Sequence, residues 1–167
     1  MVLNGKIPAG SDGISILPFG NGSERILENR DTGASIHGLQ FNRHNTGHII
    51  RAAQEGIVYA LKYGFEIMNG IGLECNIVKA ANTNMFQSKL FREIFVNTTG
   101  AALEIYETDG AEGAARGAGI GAGLYSSQEE AFDGLKRNKL IEPDTKLSTQ
   151  YQEFYMKWVE KLKSESK

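Results

Sequence analysis

The stretch TDGAEGAARGAGIGAGLY, Thr108 to Tyr125, contains six glycines and five alanines in eighteen residues. It follows the apolar run ALEIYE (Ala102–Glu107), whose composition predicts a β-strand. Asp109 stands where a helix N-cap is expected, and Glu112, three residues later, completes a variant of the capping box. We therefore expect a strand, a short turn, and a helix of very small residues from Gly110 to about Leu124.

Several known motifs resemble this stretch but fit it poorly. A Rossmann fingerprint needs G-x-G-x-x-G, whereas the first two glycines here are three residues apart. A P-loop needs Gly-Lys-Ser/Thr, which the sequence lacks. A membrane-embedded packing face is excluded by the charges at Asp109, Glu112 and Arg116. Two interpretations stay open: a helix packed tightly on a sheet, or one wall of a nucleotide cleft.

The composition is that of an ordinary soluble globular domain. The chain has 167 residues, a net charge of −2 and 41% hydrophobic residues. This charge gives no reason to expect a nucleic-acid or membrane partner. A single cysteine, Cys75, forms no internal disulfide, and its apolar setting predicts a buried, inert thiol. No secretion signal is evident, so we expect a cytoplasmic protein, and the sequence leaves a homodimer open.

The hydrophobic periodicity predicts an α/β order along the chain. The expected elements begin with short strands at Ile14–Phe19 and Ala34–Phe41 and a helix at Thr46–Asn69, capped by Thr46 and stopped by Gly70. A buried strand at Cys75–Ala80, a helix from the N-cap Ser88 to Gly100 and a strand at Ala102–Glu107 then precede the helix from Gly110. The last elements are a short helix at 127–137, an extended link at 139–146 and a final helix at Ser148–Leu162 with an aromatic core-facing stripe.

This order predicts at least two parallel strands joined by a helix. Two strands make a thin sheet, so the first forty residues would have to add edge strands, or part of the domain is missing. We divide the chain into a loop-rich lead-in (1–45), an α/β core (46–126) and C-terminal helices (127–167).

Four segments, in the same order along the chain, resemble the FGGY carbohydrate kinases. DGAEGAARGAG (109–119) is similar to that family's GA-x-GAA helix, and LFREIFVNTTG (90–100) resembles LWRQILADVTG, with Phe91 replacing tryptophan. RAAQEGIVYAL (51–61) resembles RAVLEGVAFAL. GISILPFGNGSERILENRDTGASIHGL (13–39) resembles the LPYLSGERTPHxDPxARGxFxGL stretch of xylulokinases, the members that the chain resembles most.

The resemblance implies the C-terminal part of an actin-like, ribonuclease-H-like kinase domain. Members of this family are about three times as long, and they bind ATP in the cleft between two domains. The family's catalytic aspartate, phosphate-binding Gly-Thr loop and N-terminal sugar-binding domain have no counterpart here. We therefore expect no catalytic residue and no metal ligand in this chain.

The resemblance also indicates where adenosine would lie. The family has glycines and a small polar residue, GGGA-x-S-x-LW, after the strand equivalent to Cys75–Ala80. Here the text is AANTNMFQSKLF, in which Thr83, Asn84 and Met85 replace the glycines and Ser88 takes the polar position. An ordinary strand-to-helix turn is the alternative. The predicted nucleotide-binding residues are Ala81, Asn82, Thr83, Asn84, Ser88, Asp109 and Gly110.

The expected function is the ATP-side portion of a sugar kinase that acts on a pentulose such as D-xylulose. ATP and Mg²⁺ are the implied cofactors of the full-length parent, and a sugar and the missing N-terminal kinase domain are the implied partners. Two alternatives stay open: a non-catalytic nucleotide-binding or interaction module of the same fold, and an FGGY kinase for another sugar. His44 and His48, four residues apart, are interpreted as helix-start residues rather than metal ligands.

Overall fold

The predicted helix and strand order is present in the computed structural model, which describes residues 7–22 and 24–165. Residues 1–6 of the predicted lead-in lie outside this range. In chain order the elements are β1 (Ser15–Pro18), β2 (Ala34–His37), α1 (Thr46–Gly70), β3 (Ile77–Ala81), α2 (Lys89–Thr99), β4 (Ala102–Tyr106), α3 (Gly110–Gly121), α4 (Gln128–Phe132), β5 (Arg137–Ile141) and α5 (Thr145–Glu165).

The predicted parallel pair of strands is confirmed. Strands β3 and β4 run parallel, with Ile77 opposite Ala102 and Ala81 opposite Tyr106, and α2 forms the crossover between them. Strand β5 pairs antiparallel with the other edge of β4, so the sheet is mixed and has the order β3-β4-β5. The extended link predicted at 139–146 is paired with β4 over residues 139–141, whereas residues 145–146 already belong to α5. The short helix predicted at 127–137 ends at Phe132, because residues 137 and 138 belong to β5.

The first forty residues do not extend this sheet. Strands β1 and β2 form a separate antiparallel pair, with Ser15 opposite His37. This pair packs on α1, where Gly56 allows the close approach: a Cβ there would collide with the carbonyl oxygen of Ile16. Packing against a helix thus takes the place of the predicted edge pairing, and it explains one of the two glycines inside α1.

Side-chain caps fix the helix ends. The cap of α1 is Asn45 rather than the predicted Thr46, because the Asn45 side chain accepts hydrogen bonds from the backbone N–H groups of Gly47 and His48. The predicted cap of α2 is confirmed, since the Ser88 hydroxyl accepts from the N–H of Phe91 at 3.2 Å. Gly100 ends α2 with a φ of 77°, as expected for a glycine C-cap.

The aromatic stripe of α5 is confirmed as core. Tyr151, Tyr155 and Trp158 are fully buried, and they pack with buried apolar residues of α1, α2 and β4. The indole N–H of Trp158 donates to the carbonyl oxygen of Ile16 at 2.8 Å, which ties α5 to β1. The core therefore lies on the side of the sheet that α2 and α5 cover.

Strand β3 differs from the predicted buried strand. It starts at Ile77, it is the edge of its sheet, and Ile77 is 56% exposed. Val78 and Ala80 pack against the core, whereas the alternate residues face away from it. Cys75 precedes the strand and is only half-buried, so the prediction of a buried thiol is wrong. An apolar run predicted burial on both faces, but only one face is covered.

No helix in residues 7–22 and 24–165 is long and apolar enough to cross a membrane.

Candidate functional site

The turns that follow β3 and β4 lie side by side at one edge of the sheet. This is expected because parallel strands carry their carboxyl ends to the same edge. The backbone N–H of Asn82 donates to the carbonyl oxygen of Tyr106 at 3.0 Å. The Asn82 side-chain amide also donates to the carboxylate of Glu107 at 3.4 Å. Asn82, a member of the first predicted group, is thereby joined to Tyr106 and Glu107, which shortly precede Asp109 and Gly110 of the second group.

The first turn has the backbone conformation that its asparagine predicts. Residues Asn84–Gln87 form a 3₁₀ turn, closed by a hydrogen bond from the N–H of Phe86 to the carbonyl oxygen of Thr83. Asn84 has a φ of 50°, in the left-handed region that glycine and asparagine tolerate best. An asparagine thus occupies a position that suits glycine, and its side chain is exposed.

Ser88 closes the first turn through its capping role. Its hydroxyl accepts from the N–H of Phe91 and donates to the side-chain carbonyl of Gln54 on α1 at 3.4 Å. Its hydrogen-bonding capacity is therefore already engaged within the protein. Any contact of Ser88 with a ligand would replace the bond to Gln54 or use the remaining lone pair.

The second turn carries acidic caps. Asp109 accepts from the N–H of Glu112 at 2.8 Å, which confirms it as the N-cap of α3. The Glu112 carboxylate accepts from the hydroxyl of Thr108 and from the guanidinium of Arg116, both at 2.8 Å. The hydrogen bond from Arg116 holds the pKa of Glu112 below its usual value. This end of α3 is therefore negatively charged near neutral pH.

Helix α3 presents a bare surface. A Cβ added at Gly110, Gly113, Gly117 or Gly121 would meet no atom within 4 Å. Gly119 is different, since a Cβ there would lie 2.6 Å from the ring of Tyr125. Tight packing of this helix on a sheet, one of the two interpretations left open by the sequence, therefore does not explain the four open glycines.

A cleft of about 520 Å³ adjoins the two turns. Its walls come from the ends of β3 and β4 and, across from them, from α4 and the loop that follows it. The lining residues are Lys79, Ala80, Ala81, Tyr106, Thr108, Gln128, Glu129, Phe132 and Leu135. Of the seven residues predicted to bind nucleotide, only Ala81 lines this cleft, while Asn82 and Asp109 directly follow lining residues.

One lining residue, Tyr106, is held by polar partners that do not themselves line the cleft. The hydroxyl of Tyr106 donates to the carboxylate of Glu104 at 2.7 Å, and Arg137 of β5 donates to the same carboxylate at 2.7 Å. The hydrogen bond from Tyr106, followed by that from Arg137, lowers the pKa of Glu104. The lining combines aromatic and apolar side chains with polar ones, among them Lys79, Thr108 and Gln128, and this mixture is typical of small-molecule sites.

Comparisons with known proteins agree on one group of enzymes. No family model matches the chain. A curated xylulose kinase from Haemophilus influenzae is 27% identical over 164 residues, which cover 94% of this chain and 32% of the relative. A solved structure of ligand-bound xylulose kinase from Lactobacillus acidophilus has a TM-score of 0.75 at 22% identity, and it covers 94% of this chain and 32% of its own.

Structures of other sugar kinases also superimpose on the chain. A xylulose kinase structure from Brucella ovis has a TM-score of 0.77 at 18% identity, covering 97% of this chain and 33% of its own. Glycerol kinase from Plasmodium falciparum, solved with ADP, has a TM-score of 0.67 at 21% identity, with coverages of 90% and 31%. The chain has the fold of the FGGY sugar kinases. It spans about a third of the length of these relatives.

One organising residue of this sugar-kinase fold was missed from the sequence. Arg92 is only 8% exposed, and its guanidinium donates to the carbonyl oxygen of Phe86 and, at 2.8 Å, to the side chain of Asn82. It lies within the apolar stripe of α2, directly after Phe91. A charged residue flanked by buried positions was the signal that could have revealed it.

The histidines take part in local structure. His48 completes the capping box of α1 with Asn45, and its ring lies 5.3 Å from that of His44. His37, expected in a strand, lies in β2 and pairs with Glu165 at 2.8 Å. Across the described ranges, 7–22 and 24–165, no three His, Cys, Asp or Glu side chains are grouped so as to hold a metal ion.

Proposed function

We propose that this chain is the C-terminal, ATP-side portion of an ATP-dependent sugar kinase that phosphorylates a pentulose such as D-xylulose. The similarity to a xylulose kinase, at 27% identity, covers 94% of this chain. The observation that carries the proposal is the juxtaposition of the two turns, through Asn82 and Glu107, beside a helix whose glycines face open space. Such a surface lets a flat, extended ligand approach the backbone closely.

In this proposal the turns after β3 and β4 and the cleft beside them take the adenosine half of a nucleotide. The cleft of about 520 Å³ falls within the usual range for small-molecule sites. Ala81 lines the adenosine side inside the cleft, Asn82, Thr83, Asn84 and Ser88 continue it along the turn after β3, and Asp109 and Gly110 flank it. The N-cap of α3 disfavours phosphate groups at that helix end, because the Asp109 carboxylate, which no ion pair within residues 7–22 and 24–165 neutralises, would repel them. The phosphates would therefore extend away from α3.

The reactive groups are proposed to lie on polypeptide beyond this chain, in the N-terminal kinase domain. Phosphoryl transfer needs a base for the sugar hydroxyl and charge stabilisation on the transferred group. Mg²⁺ is commonly held by one or two carboxylates together with the nucleotide phosphates. The chain's own contribution is to bind and orient the nucleotide, and the cofactors of the assembled enzyme would be ATP and Mg²⁺.

Two alternatives are each favoured by one observation. The replacement of the glycine turn by Thr83, Asn84 and Met85 puts side chains where a ligand would approach, and this favours a non-catalytic nucleotide-binding or interaction module. A gluconate kinase from Lactobacillus acidophilus superimposes with a TM-score of 0.76, which favours a kinase for another sugar. Steady-state ADP release by the intact protein with D-xylulose, gluconate or glycerol distinguishes these alternatives.

Calorimetric titration of the 167-residue chain with ATP and with ADP tests the nucleotide site. We expect saturable binding of both. Gly113→Leu should weaken binding at least about tenfold, that is by 1.4 kcal/mol, because its side chain would occupy the open space beside α3. Gly64→Leu is the matched control, since Gly64 lies within α1 and also has nothing within 4 Å. Absence of saturable binding, or equal weakening by both variants, would contradict the proposed site.

A further inference from the structure

We propose that Arg92 is the positioning residue of the nucleotide site, because it holds the turn after β3 in a single conformation and in register with the turn after β4. This inference rests on the proposed function only for its consequence on nucleotide affinity. The positioning itself is argued from contacts within the chain, and it can be measured without a ligand.

The guanidinium of Arg92 is directed at three acceptors, all in the turn. Its Nε donates to the carbonyl oxygen of Phe86. Its Nη2 donates to the side-chain oxygen of Asn82 at 2.8 Å and to the carbonyl oxygen of Gln87 at 3.4 Å. The turn is also closed on itself, since the Gln87 amide donates to the carbonyl oxygen of Asn82 at 3.4 Å. One rigid, planar fork thus fixes both ends of the turn.

The electrostatic setting of Arg92 indicates a dedicated role. The residue is 8% exposed, yet no carboxylate within residues 7–22 and 24–165 forms an ion pair with it. Burying a cation without a countercharge is costly, and here neutral carbonyl and amide oxygens alone compensate for it. A methionine of similar length would fill the same space without that cost. What the arginine adds is the set of directed hydrogen bonds to the turn.

Asn82 transmits this constraint to the second turn. Its side-chain oxygen accepts from Arg92, while its side-chain amide donates to Glu107. Asn138 of β5 donates to the same carboxylate of Glu107. A continuous hydrogen-bonded chain therefore runs from α2 through both turns to β5. It sets the separation between the turn after β3 and the start of the segment leading to α3.

The test compares Arg92→Met and Arg92→Lys with the unchanged chain. Hydrogen exchange is measured for residues 82–88, and ADP affinity is measured by calorimetry. We expect Arg92→Met to accelerate exchange in the turn at least about tenfold and to weaken ADP binding by a similar factor, since tenfold is a modest 1.4 kcal/mol. Arg92→Lys keeps the charge but loses the fork, so it should give an intermediate effect on both.

Trp158→Phe is the control for general destabilisation. It removes a buried hydrogen bond to Ile16 and trims the core, away from the acceptors of Arg92. We expect it to lower the unfolding temperature while leaving exchange at 82–88 and ADP affinity within about twofold of the unchanged chain, because distant sites act independently. If Arg92→Met does not fold, Arg92→Lys and the control carry the comparison.

The outcomes separate the two proposals. If the unchanged chain binds no ADP, the proposed function fails, and the exchange measurement still tests the positioning role. If the chain binds ADP but neither Arg92 variant alters exchange at 82–88 more than Trp158→Phe does, the positioning role is wrong. Faster exchange with unaltered ADP affinity would overturn the link between this turn and the nucleotide.

Discussion

At the scale of single residues, the buried carboxylate of Glu55 accepts hydrogen bonds from groups that are far apart in the sequence. It is 2% exposed and accepts from the backbone N–H of Gly10 at 2.9 Å, the hydroxyl of Ser11 at 2.8 Å and the Nε of Arg51 at 2.9 Å. Arg51 donates in turn to the hydroxyl of Tyr151 at 2.7 Å. These bonds fasten the loop before β1 to both α1 and α5.

Glu55→Ala should destabilise the chain strongly. The change leaves the Nε of the half-buried Arg51, the Gly10 N–H and the Ser11 hydroxyl without their acceptor, and breaking a buried pair in this way typically costs about 3–5 kcal/mol. Urea unfolding at neutral pH measures the loss. Arg43→Ala is the control, because the ion pair of Arg43 with Asp12 is at the surface and such pairs contribute little. A loss for Glu55→Ala no greater than that of the control would contradict the importance of the network.

Residues whose hydrogen-bond partners are close in the sequence could be identified from the sequence. Residues whose partners are distant in the sequence could not. The caps Ser88 and Asp109 act on backbone groups three residues away, so their type and position suffice to predict them. Glu55 bonds to Gly10, 45 positions away, and nothing local to α1 signals that contact. Arg92 is an intermediate case: its acceptors lie in the preceding turn, but its burial depends on the packing of α2.

At the scale of elements, α3 stands out because it combines a high glycine content with a side-chain cap. Five of its twelve residues are glycine, each unfavourable by about 1 kcal/mol relative to alanine in a helix interior. The cap by Asp109 and the bond between Glu112 and Arg116 offset part of that cost. Such a helix is retained at the expense of stability, which is typical of functional surfaces.

Gly113→Ala and Gly117→Ala should each raise the free energy of unfolding of this segment by up to about 1 kcal/mol. An added methyl group meets no neighbour at either position, so only the gain in helix propensity remains. Gly119→Ala should do the opposite, because its Cβ would lie 2.6 Å from the ring of Tyr125. Circular dichroism during thermal unfolding measures all three, and destabilisation by the first two would show that the open face is in fact covered.

Element types followed from periodicity, whereas element pairing did not. The 3.6-residue pattern placed α1, α2 and α5, and apolar runs placed β3 and β4. Strand β5 was not predicted, because its residues are mostly exposed and include two basic side chains, Arg137 and Lys139, a pattern that resembles a loop. Its partner β4 lies about thirty residues earlier, and such a pairing is set by tertiary packing rather than by local sequence.

At the scale of the whole molecule, three buried tyrosines make the fold sensitive to alkali. Burial raises the pKa of Tyr151 to about 12 from 10.0, although Arg51 partly opposes the shift. Burial also raises the pKa of Tyr59 and of Tyr155, the latter helped by its hydrogen bond to Glu66. Each phenol is thus held neutral by the fold at pH values where the unfolded chain would ionise.

The expected consequence is a loss of stability that begins near pH 10. Above that pH the unfolded chain releases phenolic protons that the folded chain keeps, so the free energy of unfolding falls as pH rises through the folded pKa values. Urea unfolding at a series of alkaline pH values measures the slope. Tyr155→Phe should make it shallower, since one of the three groups no longer titrates. An unchanged slope in that variant would exclude Tyr155 as a contributor.

The scarcity of side chains along α3 also bears on temperature. A helix so rich in glycine has a low intrinsic helix propensity, so α3 should unfold on warming before the aromatic core does. A nucleotide that binds at the proposed site would then meet a partly unfolded α3 and would restore the helix on binding. Association would release more heat and lose more entropy than a rigid crevice would give, and it would weaken steeply on warming.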